Sequence, residues 1–271
     1  MPLTQADVDD LASRLRAAEL DRRPMQPVTE VFPDLAAADA YRIQRGFVDL
    51  RRRDEGSRLT GRKIGATNPV IQSLLGVDMP DYGHLLDTMV LEDGARIRHG
   101  LLIQPRVEAE VAFHLAEGLR GPGVTVRDVL LATRGISATF EIIDSRIQDW
   151  RISFADTVAD NGSSALVVVG PTILPVIGLD LRTIGVVMER NGEVVETGAG
   201  AASLGHPARA VAWLANALGE FGEGLEPGQL VLSGALTSAP LARPGDLFQA
   251  HFAGLGTVTC SFDGPAEPGD G

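Results

Sequence analysis

The chain of 271 residues carries 24 basic and 36 acidic side chains, a formal net charge of −12 at neutral pH. This balance argues against nucleic acid and anionic membrane surfaces as partners, because both are negatively charged. A hydrophobic content of 44% is sufficient for a sizeable core. No apolar run approaches the roughly 20 residues of a membrane span. The acidic, amphipathic N-terminus lacks the regions of a signal peptide, which predicts a cytoplasmic protein.

The first 60 residues have helical periodicity. A helix is predicted after Thr4 as N-cap, with Leu11 and Leu15 on its apolar face, and a second helix carries a stripe that includes Ile43 and Phe47. The sequence therefore predicts a helical N-terminal region over residues 1–60.

From about residue 100 the apolar residues recur with a period of two, which is typical of strands. Asn191-Gly192 predicts a type I′ hairpin turn, and one helix is predicted from Pro207 to Gly222. The single cysteine, Cys260, reads as a packed strand residue and excludes an internal disulfide. Strands are predicted in "VEAEVAFHL", "GISATFEIIDSRI", "SALVVVG", "GQLVLSGALT" and "DLFQAHFAGLGTVTCSF".

Clustered strands with a single helix among them predict an α+β protein with a mixed or antiparallel sheet, and not a doubly wound one. We expect one domain over residues 1–264, with its strand-rich core over about 75–264 and a disordered tail over 265–271. P-loop, G-x-S-x-G and H-E-x-x-H motifs are absent, and the five histidines lack metal-ligand spacing. "GAGAAS" has the letters of a dinucleotide loop but follows a hairpin strand, without a βαβ context.

Two glutamates, Glu108 and Glu110, lie on one face of a predicted strand. Two carboxylates roughly 6.5–7 Å apart along a strand repel each other unless a cation lies between them. A hard divalent ion such as Mg²⁺ satisfies this requirement. The alternative is a solvent-exposed strand face with two hydrated carboxylates, and these two residues alone favour it.

Glu141 is a third carboxylate within an apolar strand, and three such groups suit a metal with open positions. Lys63, between two glycines, is a candidate proton carrier or an ordinary surface lysine. Asp81 is either a turn cap or an acid/base group whose pKa a neighbouring lysine would lower. Asp144 and Arg146 favour a structural ion pair at least as much as a catalytic role.

These stretches resemble the 2-keto-4-pentenoate hydratase / 4-oxalocrotonate decarboxylase family of the fumarylacetoacetate hydrolase-like superfamily. The resemblance covers about residues 40 to 262, with its motifs in the family's order. They are "GRKIGATN", "GVDMPDYGHLLDTM", "LIQPRVEAEVAFHL", "FEIIDSRIQDW", "DTVADNGSS", "LGHPARAVAWLANAL" and "LSGALT".

The resemblance implies a mixed β-roll fold, a Mg²⁺ or Mn²⁺ cofactor and homo-oligomeric assembly. It implies three metal ligands and an acid/base pair, which are Glu108, Glu110 and Glu141, and Lys63 and Asp81.

The same resemblance places a substrate-binding loop at Asn161 and Ser163. A glutamate as third ligand, with no histidine before position 84, points away from the related C–C hydrolases. "RKIGATN" and "LIQPRVEAE" are more similar to hydratases than to decarboxylases. "GATN" departs from the "GLTS" that is usual in the hydratases, which leaves the exact substrate open.

The expected activity is metal-dependent addition of water to a 2-hydroxy-2,4-dienoate in aromatic meta-cleavage catabolism, which gives a 4-hydroxy-2-oxo acid. The alternative is decarboxylation of a 2-oxo-3-enedioate, as in 4-oxalocrotonate decarboxylase, at the same metal site. A third hypothesis is a non-catalytic subunit that supports such an enzyme. The expected partners are a small anionic substrate, further copies of the chain, and a downstream aldolase or related decarboxylase.

Overall fold

A computed structural model describes residues 2–68, 72–73 and 76–264 of the chain. The helices with described bounds are α1 (Gln5–Asp21), α2 (Val28–Val31), α3 (Ala37–Glu55), α4 (Val126–Ala132), α5 (Phe154–Ala159) and α6 (Pro207–Gly219). The strands are β1 (Leu59–Gly65), β2 (Asp81–Leu86), β3 (Val90–Glu92), β4 (Ala95–Ile97), β5 (Arg106–Leu115), β6 (Thr133–Ile143), β7 (Ser164–Val169), β8 (Gly185–Arg190), β9 (Glu193–Ala199), β10 (Leu230–Leu232), β11 (Leu247–Phe252) and β12 (Gly256–Phe262).

Two open sheets contain all of these strands. The larger has seven strands in the order β2-β1-β10-β5-β6-β7-β3, and the smaller has five in the order β4-β12-β11-β8-β9. Each sheet mixes parallel and antiparallel pairs, since β1 is parallel to β10 while β5 is antiparallel to β6. The predicted α+β class with a mixed sheet is therefore confirmed. The predicted hairpin joins β8 and β9, with Asn191 and Gly192 both at positive φ, as a type I′ turn requires.

The seven-stranded sheet is buried on both faces. On one face, alternate residues of β5 and β6 such as Val111, Phe113 and Phe140 pack against α6 and the five-stranded sheet in the main core. Cys260 of β12 is fully buried in this core, as predicted. The other face carries Ala112 and Leu232, which pack in a second core with α1 and α3. The carboxylates of β5 lie on this second face.

The N-terminal helices follow the sequence prediction closely. The Thr4 side chain accepts a hydrogen bond from the backbone N–H of Asp7 and so caps α1. Leu11 and Leu15 of α1 and Phe47 of α3 are buried in the second core. In the described part of the chain, no helix is long and apolar enough to cross a bilayer.

Two predictions about local structure differ from the fold, and a third cannot be compared with it. Of the helices with described bounds, three and not one lie among the strands, because α4 and α5 have only seven and six residues and too little periodicity to be detected. Helix α6 ends at Gly219 and leaves Phe221 exposed, so the predicted end at Gly222 is wrong. The tail predicted to be disordered, residues 265–271, lies outside the described residues.

Arg146 forms a buried ion pair, but with Asp160 and not with Asp144. The Arg146 Nε atom lies 2.5 Å from Asp160 Oδ1, and its guanidinium covers the Phe47 ring at 5.2 Å. Asp144 instead accepts hydrogen bonds from the backbone N–H groups of residues 103 and 104. Sequence adjacency therefore predicted the wrong partner for Arg146.

Replacing Arg146 with methionine is expected to lower the free energy of unfolding by about 3–5 kcal/mol, because the Asp160 carboxylate is then buried without its cation. Urea unfolding followed by circular dichroism measures this change. The matched control is Arg127→Met on the exposed side of α4, which should stay within about 0.5 kcal/mol of the parent. Equal stability of both variants would show that the buried pair does not hold α5 against the sheet.

Candidate active site

Three glutamates meet on the second face of the seven-stranded sheet. Glu108 of β5 is the direct cross-strand partner of Glu141 of β6, and Glu110 lies two residues further along β5. Each offers a carboxylate oxygen, and these oxygens all lie within 4.8 Å of one another. Glu110 and Glu141 are fully buried, while Glu108 is partly exposed to a cavity. The alternative of a hydrated strand face is therefore wrong.

The buried carboxylates are poorly satisfied by protein donors. Glu110 Oε2 accepts a hydrogen bond of 2.7 Å from the backbone N–H of Gly234, but its Oε1 has no hydrogen-bond partner. Burial and the charge of Glu141 raise the pKa of Glu108 to about 7, and the same causes raise the pKa of Glu110 well above its ordinary value. These unpaired anionic oxygens fit a hard divalent cation, which prefers oxygen ligands and compensates their charge.

Lys63 lies beside this cluster on β1. Its Nζ atom is 3.3 Å from Glu141 Oε2, close enough for an ion pair but without the geometry of a hydrogen bond. Burial disfavours its protonated form, but the charges of Glu141, Asp81 and Glu108 outweigh burial and raise the pKa of Lys63. Lys63 is buried, so the alternative of a surface lysine is wrong. It is also the only lysine in the sequence, a signal that points to a special role.

Asp81 opens β2 and pairs with Gly65 of β1, two residues beyond Lys63. The side chain is buried, and its Oδ1 atom has no hydrogen-bond partner in the described chain. Burial, supported by the charge of Glu141, raises the pKa of Asp81 despite the opposing effect of Lys63. The predicted lowering is therefore wrong in direction, because desolvation outweighs the lysine.

The predicted substrate loop is a short 3-10 turn over Asn161–Ser163 that follows α5. The amide of Asn161 accepts from the His84 N–H at 2.7 Å and donates to the His84 carbonyl at 3.0 Å. Ser163 lines the cavity and donates to Asp160. Of the two predicted residues, the structure therefore brings Ser163 to the cavity and fixes Asn161 behind it against β2.

Gly162, at φ +59°, separates these two residues and lies against Lys63 and Asp81. A methyl group there would lie 3.1 Å from Lys63 Nζ and 3.2 Å from Asp81 Oδ1. We expect Gly162→Ala to cost about 1–2 kcal/mol from its left-handed backbone and to lower turnover by displacing both side chains. Gly178→Ala, also at positive φ but in open space, is the control. A stability loss in both variants with turnover lost only in the first would confirm the crowding.

The cavity has a volume of about 660 Å³, within the usual range for small-molecule sites. Its wall includes residues that were not predicted as site residues from the sequence, above all Arg106, Trp150, Ile152 and the segment 235–239. Arg106 could have been predicted, because it precedes Glu108 by two residues on the same strand face. The segment 235–239 overlaps the motif "LSGALT", but its place at the cavity depends on its hydrogen bonding to β5.

Residues 82–263 match the model of the fumarylacetoacetate (FAA) hydrolase C-terminal family. A 2-keto-4-pentenoate hydratase of Paraburkholderia xenovorans (strain LB400) is 43% identical over 96% of this chain and 97% of its own. A 4-oxalocrotonate decarboxylase of Pseudomonas sp. (strain CF600) is 42% identical over 96% of this chain and 98% of its own.

Among solved structures, the 4-oxalocrotonate decarboxylase of Pseudomonas putida G7, complexed with magnesium and adipate, has a TM-score of 0.92. It is 40% identical and covers 96% of this chain and 98% of that one. The fold thus has a counterpart in an enzyme solved with magnesium. The chain belongs to the fumarylacetoacetate hydrolase family. The related hydratases and decarboxylases are lyases, which confirms the resemblance and the predicted enzyme class.

Proposed function

We propose that the chain is a divalent-metal-dependent hydratase that converts a 2-hydroxy-2,4-dienoate into a 4-hydroxy-2-oxo acid. The observation that supports this proposal most strongly is the cluster of Glu108, Glu110 and Glu141 beside Lys63 and Asp81, at a cavity that Lys63, Asp81 and Glu108 line. The high identity to 2-keto-4-pentenoate hydratases supports it.

The three glutamates would hold Mg²⁺ or Mn²⁺ through their carboxylate oxygens. When bound, such an ion acts as a Lewis acid that stabilises negative charge on the C1 carboxylate and C2 oxygen of the substrate. The structure of a related 4-oxalocrotonate decarboxylase contains magnesium, which supports this choice of ion.

The acid/base pair moves the protons. Lys63 and Asp81 take the proton from the C2 hydroxyl and deliver one to C5, so that the dienol becomes a 2-oxo-3-enoate with an electrophilic C4. One of them then deprotonates water as its oxygen adds at C4, and a proton is returned to C3. The raised pKa of Asp81 suits a carboxyl group that takes up and releases a proton during the reaction.

The remaining residues position these groups. Asn161 fixes the turn 161–163 to β2, so that Ser163 faces the cavity and Gly162 lies against Lys63 and Asp81. Ser163 contacts the substrate directly, while Asn161 positions the turn by its hydrogen bonds to β2.

The test is an ultraviolet assay of a 2-hydroxy-2,4-dienoate panel with Mg²⁺ and with EDTA. We expect loss of the diene absorbance only when metal is present, with a 4-hydroxy-2-oxo acid as product. Turnover that survives complete metal removal would contradict the proposal. A metal-loaded protein that is inert alone but co-purifies with an aldolase or decarboxylase would favour a non-catalytic subunit.

Decarboxylation of a 2-oxo-3-enedioate is the second candidate. It is supported by the relatives of 40–42% identity named 4-oxalocrotonate decarboxylase. The cavity is also lined by a second cationic side chain, Arg106, in addition to Lys63. Release of CO₂ from an enedioate by the Mg²⁺-loaded protein, without hydration of a dienoate, would establish this activity instead.

We further propose that residues 1–264 act as a single catalytic domain in a cytoplasmic homo-oligomer that serves aromatic catabolism. The near-complete overlap with relatives along both chains supports the domain assignment. Size-exclusion chromatography with light scattering measures the oligomer, and a monomer at micromolar concentration would contradict it.

A further inference from the structure

Arg106 begins β5 and lines the cavity on the same strand face as Glu108. We propose that its guanidinium binds the C1 carboxylate of the substrate and so sets the direction in which the substrate lies. This inference rests on the proposed function for the identity of the substrate, but its binding step can be tested without turnover.

Two contacts hold the Arg106 guanidinium in place, and they leave some of its N–H donors without a partner. Its Nη1 donates to the carbonyl of Ala239 at 3.1 Å, and its Cζ lies 5.2 Å from the centre of the Trp150 ring. Trp150 is in turn fixed by a hydrogen bond of 3.2 Å from its Nε1 to the Gln104 carbonyl. In the described part of the chain, Nη2 of Arg106 donates no hydrogen bond, and Nε is buried without a partner. The planar fork is therefore pre-organised for an anion.

Strand register places the backbone of Arg106 at the end of the site away from the backbone of Lys63. Lys63 lies level with Leu232 of β10, which pairs with Ala112 of β5. Arg106 is six residues before Ala112 on the same strand, which corresponds to roughly 20 Å at the usual rise per residue. The glutamates 108 and 110 lie between the two levels. The Lys63 side chain reaches Glu141, and the Arg106 side chain lines the cavity on the same strand face as Glu108.

This order dictates the orientation of the substrate. The carbons that exchange protons must face Lys63 and Asp81, and the C1 and C2 oxygens must face the glutamate cluster. The C1 carboxylate then extends towards Arg106. Lys63 and Arg106 are the two cationic side chains among the described residues that line the cavity, and Lys63 is already paired with Glu141. Arg106 is thus the cation that remains to compensate an incoming carboxylate.

A guanidinium binds a carboxylate through charge-assisted and often bidentate hydrogen bonds, which a point charge reproduces poorly. The contact also suits an acidic protein whose site already contains four carboxyl groups. Without the positive charge of Arg106, the negative charges of the substrate and of Glu108 would repel each other more strongly.

The test measures pyruvate binding to the Mg²⁺-loaded protein by isothermal titration calorimetry. Pyruvate has the C1 carboxylate and C2 oxygen of the substrate but no diene, so binding is read without turnover. We expect Arg106→Met to weaken pyruvate binding by about 10- to 100-fold, the effect of losing charge-assisted hydrogen bonds. Arg106→Lys should recover only part of this loss, because it restores the charge but not the fork.

A merely structural role would show itself in the metal affinity. Mg²⁺ binding without pyruvate should stay the same or tighten in Arg106→Met, because a cation beside Glu108 has been removed. Parallel weakening of Mg²⁺ and pyruvate would mean a damaged site and would overturn the proposal. So would pyruvate affinity within twofold of the parent, or no pyruvate binding by the parent. Arg127→Met is the matched control and should bind both ligands normally.

Kinetics separate this proposal from the proposed function. With a dienoate substrate, Arg106→Met should raise KM about 10- to 100-fold with a smaller change in kcat. If Arg106 served only a far carboxylate, an enedioate would lose affinity while pyruvate and the dienoate would not, which contradicts the proposal. A parent protein that binds pyruvate through Arg106 yet hydrates no dienoate would overturn the hydratase assignment alone.

Discussion

Replacing Glu110 with glutamine is expected to abolish Mg²⁺-dependent turnover and, at the same time, to stabilise the metal-free protein. Glu110 is fully buried, and its Oε1 atom has no hydrogen-bond partner. Glutamine keeps the shape and the acceptor for the Gly234 N–H but removes a charge that repels Glu108 and Glu141. We expect a loss of turnover greater than about 10²-fold, since even residues that only support metal ligands cost 10- to 100-fold.

The stabilisation should be about 1–3 kcal/mol, the usual cost of an unsatisfied buried polar group, or roughly 2–10 °C in Tm for a chain of this size. Thermal unfolding with and without Mg²⁺ measures both effects. The parent should gain Tm on adding Mg²⁺, while Glu110→Gln should start higher and gain little. Glu117→Gln, exposed just beyond β5, is the matched control and should behave as the parent. A Glu110→Gln protein that retains the Mg²⁺ shift would contradict the ligand assignment.

Replacing Lys63 is the second change with a large expected effect. Lys63→Met should lower kcat by about 10²–10⁴-fold, the usual contribution of a general acid/base group. Mg²⁺ affinity should be retained or increased, because Lys63 Nζ lies only 3.3 Å from Glu141 and competes with the ion for its charge. Activity assays and calorimetric Mg²⁺ titration together measure this separation of catalysis from metal binding.

Lys63→Arg distinguishes a role of Lys63 in proton transfer from a role of its positive charge alone. Arginine keeps a cation beside Glu141 but is not deprotonated in proteins, so it should not restore kcat. Its Mg²⁺ affinity should resemble that of the parent more than that of Lys63→Met. If Lys63→Arg recovered turnover to within about tenfold of the parent, Lys63 would act through its charge and not as a proton carrier.

Strand periodicity was sufficient to predict the carboxylate face. A period of two placed Glu108 and Glu110 together, and the apolar alternate residues predicted which face of β5 enters the main core. Glu141, Lys63 and Asp81 were candidates with open alternatives, and the motif resemblance implied their roles. Lys63 and Asp81 line the cavity, and Glu141 is buried with its Oε2 atom 3.3 Å from Lys63 Nζ. Local patterns succeeded here because each residue sits on a regular strand.

The remaining features depend on contacts between distant segments. Burial of the carboxylate face follows from α5 and from the segment 235–239, which short-range patterns do not place. The direction of the Asp81 pKa required knowing that desolvation outweighs Lys63. The pairing of Arg146 with Asp160 likewise follows from the turn after α5, and not from sequence neighbours.

The most direct measurement is a crystal structure of the Mn²⁺-soaked protein with anomalous diffraction at the manganese edge. We predict one anomalous peak bounded by carboxylate oxygens of Glu108, Glu110 and Glu141, at the roughly 2.0–2.2 Å typical of small divalent ions. The same peak should vanish in Glu110→Gln and persist in Lys63→Met. A peak at another site, or no peak between these three glutamates, would contradict a metal-dependent lyase mechanism in this cavity.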